Sequence, residues 1–298
     1  CQLEAGDHVV ASRALFGSCR WLTDSLLPKF GIETTVIDGR EIENWEQAIT
    51  PKTKVFFFET PANPTMEVID LRSVCSLARA KGIVSVVDNA FATNMLQRPM
   101  EYGADVVAYS ATKMMDGQGR VLAGAVCGTE EFIEGPLLAF IRNTGPTLSA
   151  FNAWVVLKGL ETLDLRIRRQ SGNALEVGKF LEQRVEKVLL PGLPSHPQHN
   201  LAMSQMEAAG PIFSLYVGGG RARAHALLNA LKLIDISNNI GDSRSLMCHP
   251  ASTTHYGLAE ESRLEIGITE DMLRINVGLE DPIDLIEDLD QALSSVGL

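Results

Sequence analysis

Asp88, Ser110, Thr112 and Lys113 are residue types that can share one chemistry. Asp88-Asn89 ends the apolar run 83–87, and Ser110-Ala111-Thr112-Lys113 ends the apolar run 104–109. Both runs are rich in β-branched residues with little alternation, the pattern of buried parallel strands. Open parallel sheets bind ligands beyond the carboxyl ends of their strands, so both polar clusters are expected on one crevice. A carboxylate, an amine and two hydroxyls there suit pyridoxal 5'-phosphate. Lys113 would form a Schiff base with the aldehyde, and Ser110 and Thr112 would donate to the phosphate. Asp88 would keep the pyridine nitrogen protonated so that the ring takes up electrons. Taken singly, each residue has a plainer use: Asp, Ser and Thr at strand ends commonly cap helices and turns, and most lysines are solvated. The combination carries the reading.

The elements around these residues have to deliver them. From residue 9 to about 128, short apolar runs alternate with helical stretches. Strands are expected at 7–10, 32–37 and 54–59, with helices at 18–30 and 45–49. Pro61-Ala62-Asn63-Pro64 must be a loop, because each proline removes a donor and restricts its predecessor. Asp70 caps the next helix, which runs to Lys81 and stops at Gly82. This order implies an α/β fold with a mostly parallel sheet sandwiched by helices. Glu59 closes the strand 54–59 and so joins Asp88 and Ser110 as a candidate cofactor-binding residue. Asn63 could reach a cofactor hydroxyl, although an Asn between two prolines more often serves the turn.

Residues 146–188 read as helical, with Gly159 or Gly172 as possible breaks, and 191–199 as a turn-rich connector. Beyond lie a strand at 213–217, a helix at 222–231, a strand at 233–236 and a closing helix at 282–296. Two domains are expected: a large cofactor-binding domain over 1–164, lacking its N-terminal part, and a smaller α/β domain over 165–298.

Of the 298 residues, 45% are hydrophobic and 21% charged, ordinary for a soluble globular protein. No run of about 18 uncharged apolar residues suggests a membrane span. The start, CQLEAGDHVV, has neither the basic nor the apolar region of a signal peptide, which argues against one; separately, a cytoplasmic location is expected. It also lacks an initiating Met, so residues are expected upstream. A net charge of −11 disfavours nucleic acid or anionic membrane as partner. Arg166-Ile167-Arg168-Arg169 reads as the solvated face of a helix. Five scattered cysteines without CxxC spacing fit free thiols. No dinucleotide or P-loop motif is present, and Gly218-Gly219-Gly220 reads as a turn. His249 and His255 fit no metal spacing, and no metal site is expected.

Several motifs together resemble the Cys/Met-metabolism family of pyridoxal phosphate enzymes, which have the aspartate-aminotransferase-like fold (fold type I). They are Glu-Thr-Pro-Ala-Asn-Pro at 59–64, Val-Asp-Asn at 87–89, Ser-Ala-Thr-Lys at 110–113, His-Pro-Ala-Ser-Thr-Thr-His at 249–255 and Leu-Arg-Ile-Asn-Val-Gly-Leu-Glu-Asp at 273–281. Within the family, Asp-Gly-Gln-Gly-Arg at 116–120 and Ile-Ser-Asn-Asn-Ile-Gly-Asp at 236–242 look most like the O-succinylhomoserine sulfhydrylases.

The resemblance implies Lys113 as Schiff-base lysine, Asp88 as pyridinium partner, and Ser110 and Thr112 as phosphate ligands. It also implies that Arg274 grips the substrate α-carboxylate and that Asn239 contacts that carboxylate and the lysine. Without it, an ion pair of Arg274 with Glu270 or Asp271 is the plainer use. The implied activity is γ-replacement on O-succinyl-L-homoserine by sulfide. Cystathionine γ-synthase, cystathionine or methionine γ-lyase, and a catalytically silent relative are the alternatives. The implied partners are a small amino-acid substrate and further copies of the chain, as a homotetramer built from dimers. Two positions depart from the family. Phe16 stands where a cofactor-stacking tyrosine is usual, which keeps the ring and loses the hydroxyl. Met114 replaces an aromatic. By the resemblance, roughly the first quarter of a family member precedes Cys1, including a phosphate-cup turn and an arm reaching the neighbouring subunit's site.

Overall fold

Alternating burial of β-branched and aromatic residues builds the first of two compact units. A computed structural model describes residues 1–298 and divides them into one unit of 1–63, 67–110 and 122–154 and a second of 64–66, 111–121 and 155–298. In the first unit, β1 (His8–Ser12), α1 (Gly17–Trp21), β2 (Glu33–Ile37), α2 (Ile42–Ala48), β3 (Thr53–Glu59), α3 (Leu71–Lys81), β4 (Val84–Asp88), β5 (Val106–Ser110) and β6 (Gly124–Gly128) follow in chain order. They form one sheet in the order β2-β1-β3-β4-β5-β6. All pairings are parallel except β5 with β6.

Successive side chains of a strand point to opposite faces. Val10, Phe56, Phe58, Val87 and Val107 therefore share one face and pack on Trp45 of α2 and Leu71, Val74 and Ala78 of α3. Val9, Val55 and Ile32 form a smaller cluster with Leu27. Trp45 is fully buried, and its indole N–H donates to the Gly39 carbonyl at 2.9 Å, so the ring enters the core without an orphaned donor. Asp70 caps α3 by accepting from the Ser73 amide at 3.0 Å, and Gly82 ends the helix in the left-handed region. Both ends match the sequence expectation.

The 146–188 stretch holds two helices, α4 (Ala150–Leu160) and α5 (Leu163–Leu181), and from residue 155 onward the chain belongs to the second unit. The chain breaks just after Gly159, while Gly172 lies inside α5. Then come β7 (Lys187–Leu189), β8 (Ile212–Tyr216), α6 (Gly220–Ala230), β9 (Asp235–Ile236), β10 (Leu246–Cys248), β11 (Met272–Asn276) and α7 (Pro282–Ser295). The sheet order is β7-β8-β11-β10-β9, with only β10 and β9 parallel. Its core joins Phe213, Leu215, Leu273 and Ile275 to Leu227 of α6, Val177 of α5 and Leu285, Leu289 and Leu293 of α7. The strand expected at 233–236 shortens to two residues, and β7, β10 and β11 were not anticipated. The Arg166–Arg169 cluster corrects a second expectation: Arg168 and Arg169 are exposed, but Arg166 is buried. No helix is long and apolar enough to cross a membrane.

Candidate active site

In the first unit, three neighbouring parallel strands end in Glu59, Asp88 and Ser110. Glu59 lies opposite Asp88 in the ladder, and Asp88 opposite Ala108, two residues before Ser110. The buried Glu59 carboxylate accepts from the Phe16 amide at 2.7 Å and the Asn63 amide at 3.1 Å. Glu59 thereby positions two other expected site residues. Phe16 as a residue is 39% exposed, and its ring is of a kind on which a planar group can stack. Asn63 is itself buried on the loop past β3.

Asp88 is the ionisable group this strand edge treats least generously. One carboxylate oxygen accepts from the Ala90 amide at 3.0 Å, and the other has the Cys19 thiol, a weak donor, at 4.0 Å. Burial pushes the Asp88 pKa up, and the Ala90 hydrogen bond offsets only part of that. The Cys19 thiol is pushed up as well, by burial first and then by Asp88 and Glu59. A desolvated carboxylate with one strong donor is suited to a cationic N–H, as a protonated pyridine presents.

A polar network that sequence reasoning missed secures the end of β4. The buried Asn89 amide donates to the carbonyls of Thr93 at 3.0 Å and Gln97 at 2.9 Å, and Gln97 donates back to Asn89 at 2.9 Å and to the Thr60 carbonyl at 2.7 Å. Asn89 was visible beside Asp88, but its partners lie on other segments.

The second unit assembles the amine. The turn Ala111–Met115 holds half-buried Thr112 and Lys113. Lys113 Nζ donates to Asn239 Oδ1 at 2.5 Å. Arg274 is buried in the middle of β11, between Cys248 of β10 and Ser214 of β8, and its Nη2 donates to the carbonyls of Asn238 at 2.8 Å and Asn239 at 3.4 Å. Of the carboxylates that the plainer use of Arg274 would take, Glu270 is engaged by Arg221 and Arg263, and Asp271 accepts from the Gly218 amide.

Burial, and then the Arg274 cation, lower the Lys113 pKa below the ordinary lysine value. A lysine so placed sheds its proton more readily, as a base or an amine nucleophile must. Gly241 is required beside it, because a Cβ there would stand 2.5 Å from the Met114 nitrogen and 2.6 Å from the Lys113 carbonyl carbon. Asn276 fixes Gly241 by accepting from its amide at 2.7 Å. A cavity of about 330 Å³ is bordered by Gln118, Gly119, Ser237, Asn239 and Asp242. Within this unit, sequence reasoning named Lys113, Asn239 and Arg274, and missed Asn238, Gly241 and Asn276.

The chain belongs to the Cys/Met metabolism PLP-dependent enzyme family, whose match spans residues 2–294. It is 47% identical over 298 residues to the O-succinylhomoserine sulfhydrylase of Mycobacterium tuberculosis (strain H37Rv), covering 98% of this chain and 73% of that protein. It is 40% identical over 299 residues to the L-methionine gamma-lyase of Treponema denticola, covering 99% and 75%. The crystal structure of metB from Corynebacterium glutamicum superposes with a TM-score of 0.95 at 35% identity, over 99% of this chain and 76% of that one.

Proposed function

We propose that this protein catalyses γ-replacement on an activated homoserine ester, taking O-succinyl-L-homoserine and sulfide to homocysteine and succinate. The observation that carries the proposal is the Lys113–Asn239–Arg274 cluster. It offers an amine of lowered basicity beside a buried guanidinium able to bind an α-carboxylate. Greater identity to the O-succinylhomoserine sulfhydrylase than to the methionine gamma-lyase favours replacement over elimination.

Pyridoxal phosphate, when bound, supplies an electron sink for charge developing on the substrate carbons. Lys113 would be the amine that holds this group by its aldehyde, and the same amine would take the proton from the substrate Cα and then serve at Cβ. Phe16 has no hydroxyl to share that work, so one amine handles both protons. Asn239 holds Lys113 Nζ between transfers. Asp88 would keep a proton on the ring nitrogen, Phe16 would stack on the ring, Ser110 and Thr112 would donate to the phosphate, and Asn63 would reach a cofactor hydroxyl.

Borohydride reduction in the presence of pyridoxal phosphate, followed by peptide mapping, tests the lysine; label on any other residue ends the assignment. Parallel assays with O-succinyl-L-homoserine plus sulfide, the same ester plus cysteine, and methionine alone test the reaction. Turnover of methionine without sulfide-dependent homocysteine formation would replace this reading with a γ-lyase. Absence of any visible-region absorption change on adding pyridoxal phosphate would leave a silent relative. The proposed assembly is a homotetramer built from dimers. Exposed Phe151, Trp154 and Leu157 on α4 support association, and light scattering of the purified chain tests it.

A further inference from the structure

Arg166 lies one turn into α5 from Leu163, yet its guanidinium is buried and makes no hydrogen bond to a carboxylate. Nη1 donates to the Met114 carbonyl at 2.8 Å. Nη2 donates to the Gly159 carbonyl at 2.8 Å and the Met115 carbonyl at 3.4 Å, and Nε to Thr162 Oγ1 at 3.1 Å. The backbone explains the demand. At Lys113, φ −90° and ψ −119° leave the helical region, so the turn cannot supply every carbonyl from its own amides. The Ala111 carbonyl accepts from the Asp116 amide and the Lys113 carbonyl from the Gly117 amide, which leaves those of Met114 and Met115 to Arg166. Gly159 lets the segments meet, since a Cβ there would stand 2.2 Å from the Met115 oxygen.

We infer that Arg166 is a positioning residue for Lys113, its guanidinium fork tying the turn that carries the lysine to the junction of α4 and α5. Only a planar group with donors in several directions spans these acceptors; an ammonium at the end of a lysine reaches fewer of them. With the carbonyls on both sides of the break engaged, the Lys113 backbone is fixed and its side chain moves from a constant origin. The catalytic consequence rests on the proposed role of Lys113; the positional claim does not.

The test uses the 298-residue chain without cofactor and follows acetylation of Lys113 by acetic anhydride against pH, resolved by peptide mass spectrometry. In Arg166→Lys and Arg166→Gln the midpoint for Lys113 is expected to rise by about one pH unit, as the amine drifts from its buried position. Attachment of pyridoxal phosphate to Lys113, trapped by borohydride, is expected to slow about tenfold. Leu293→Ala, which weakens the same unit from the core of α7, should shift neither. An unchanged midpoint in both Arg166 variants, or an equal shift in Leu293→Ala, overturns the inference. If the unsubstituted chain never acquires label at Lys113, the proposed function fails, while the acetylation profile still decides the role of Arg166.

Discussion

Lys113 and Asn239, 126 residues apart in the chain, meet in a 2.5 Å hydrogen bond from the amine to the amide oxygen. The acceptor is neutral, so it orients the amine without adding a negative charge that would hold the proton. Arg274 acts on the same lysine with the opposite sign to a carboxylate, lowering its pKa after burial has done so. Asn239→Asp should reverse that balance. A carboxylate at hydrogen-bond distance favours the ammonium, and the rate of Lys113 acetylation at neutral pH should fall at least about tenfold. A rate equal to that of the unsubstituted chain would show that Asn239 does not govern the amine.

Asp88 sits at the end of β4 with one strong donor and a raised pKa. Asp88→Asn keeps the shape and the acceptor for the Ala90 amide, so near-ultraviolet circular dichroism should be unchanged. Turnover should fall by about a hundredfold or more, because the amide cannot hold a proton on a ring nitrogen. Activity within about threefold of the original would remove the electron-sink role.

His196 and His255 are buried, and burial carries both from 6.5 down to about 4. Folded pKa values below the unfolded ones mean that the unfolded chain binds protons first as pH falls. Their contribution is fully present above about pH 6.5 and is lost as pH drops toward 4, by at most about 3 kcal/mol each. Urea midpoints at pH 7.5, 5.5 and 4.5 should decline accordingly. His255→Gln should flatten the decline, and a slope unaffected by that exchange would assign the acid sensitivity elsewhere.

Asp288 of α7 ties that helix to the segment leading into β9. Its carboxylate accepts from the amides of Lys232, Leu233 and Ile234 at 2.8, 2.9 and 2.9 Å. Asp288→Ala strands these donors and should cost on the order of 3 kcal/mol of stability. Equilibrium unfolding measures the loss, and a cost under about 0.5 kcal/mol would show that water replaces the carboxylate freely.

The first unit was legible because its signals are local. β-branched runs such as VSVVD in β4, the Asp70 cap and the Gly82 stop declare themselves within a few residues. In a parallel sheet each strand end is also a candidate site. The second sheet was harder to read. β10 and β11 hold three and five residues, and β11 carries Arg274 and Asn276 at buried positions, which breaks the apolar pattern that marks a strand. Arg166 failed for a related reason. Flanked by Arg168 and Arg169 it looks solvated, and its acceptors lie on a turn 51 and 52 residues earlier.

From the order of its residues, this chain specified an α/β fold, strand ends bearing Glu59, Asp88 and Ser110, and a lysine directly beyond the last of them. Periodicity, capping and turn chemistry act over a handful of positions, so they can be read without coordinates. Tertiary structure alone decided which carboxylate is taken up by backbone amides, as in Glu59, and which is left short of donors, as in Asp88. It also decided that Lys113 meets Asn239 and lies near Arg274. Desolvation and hydrogen bonding depend on distances of a few ångströms between segments that the linear order keeps far apart.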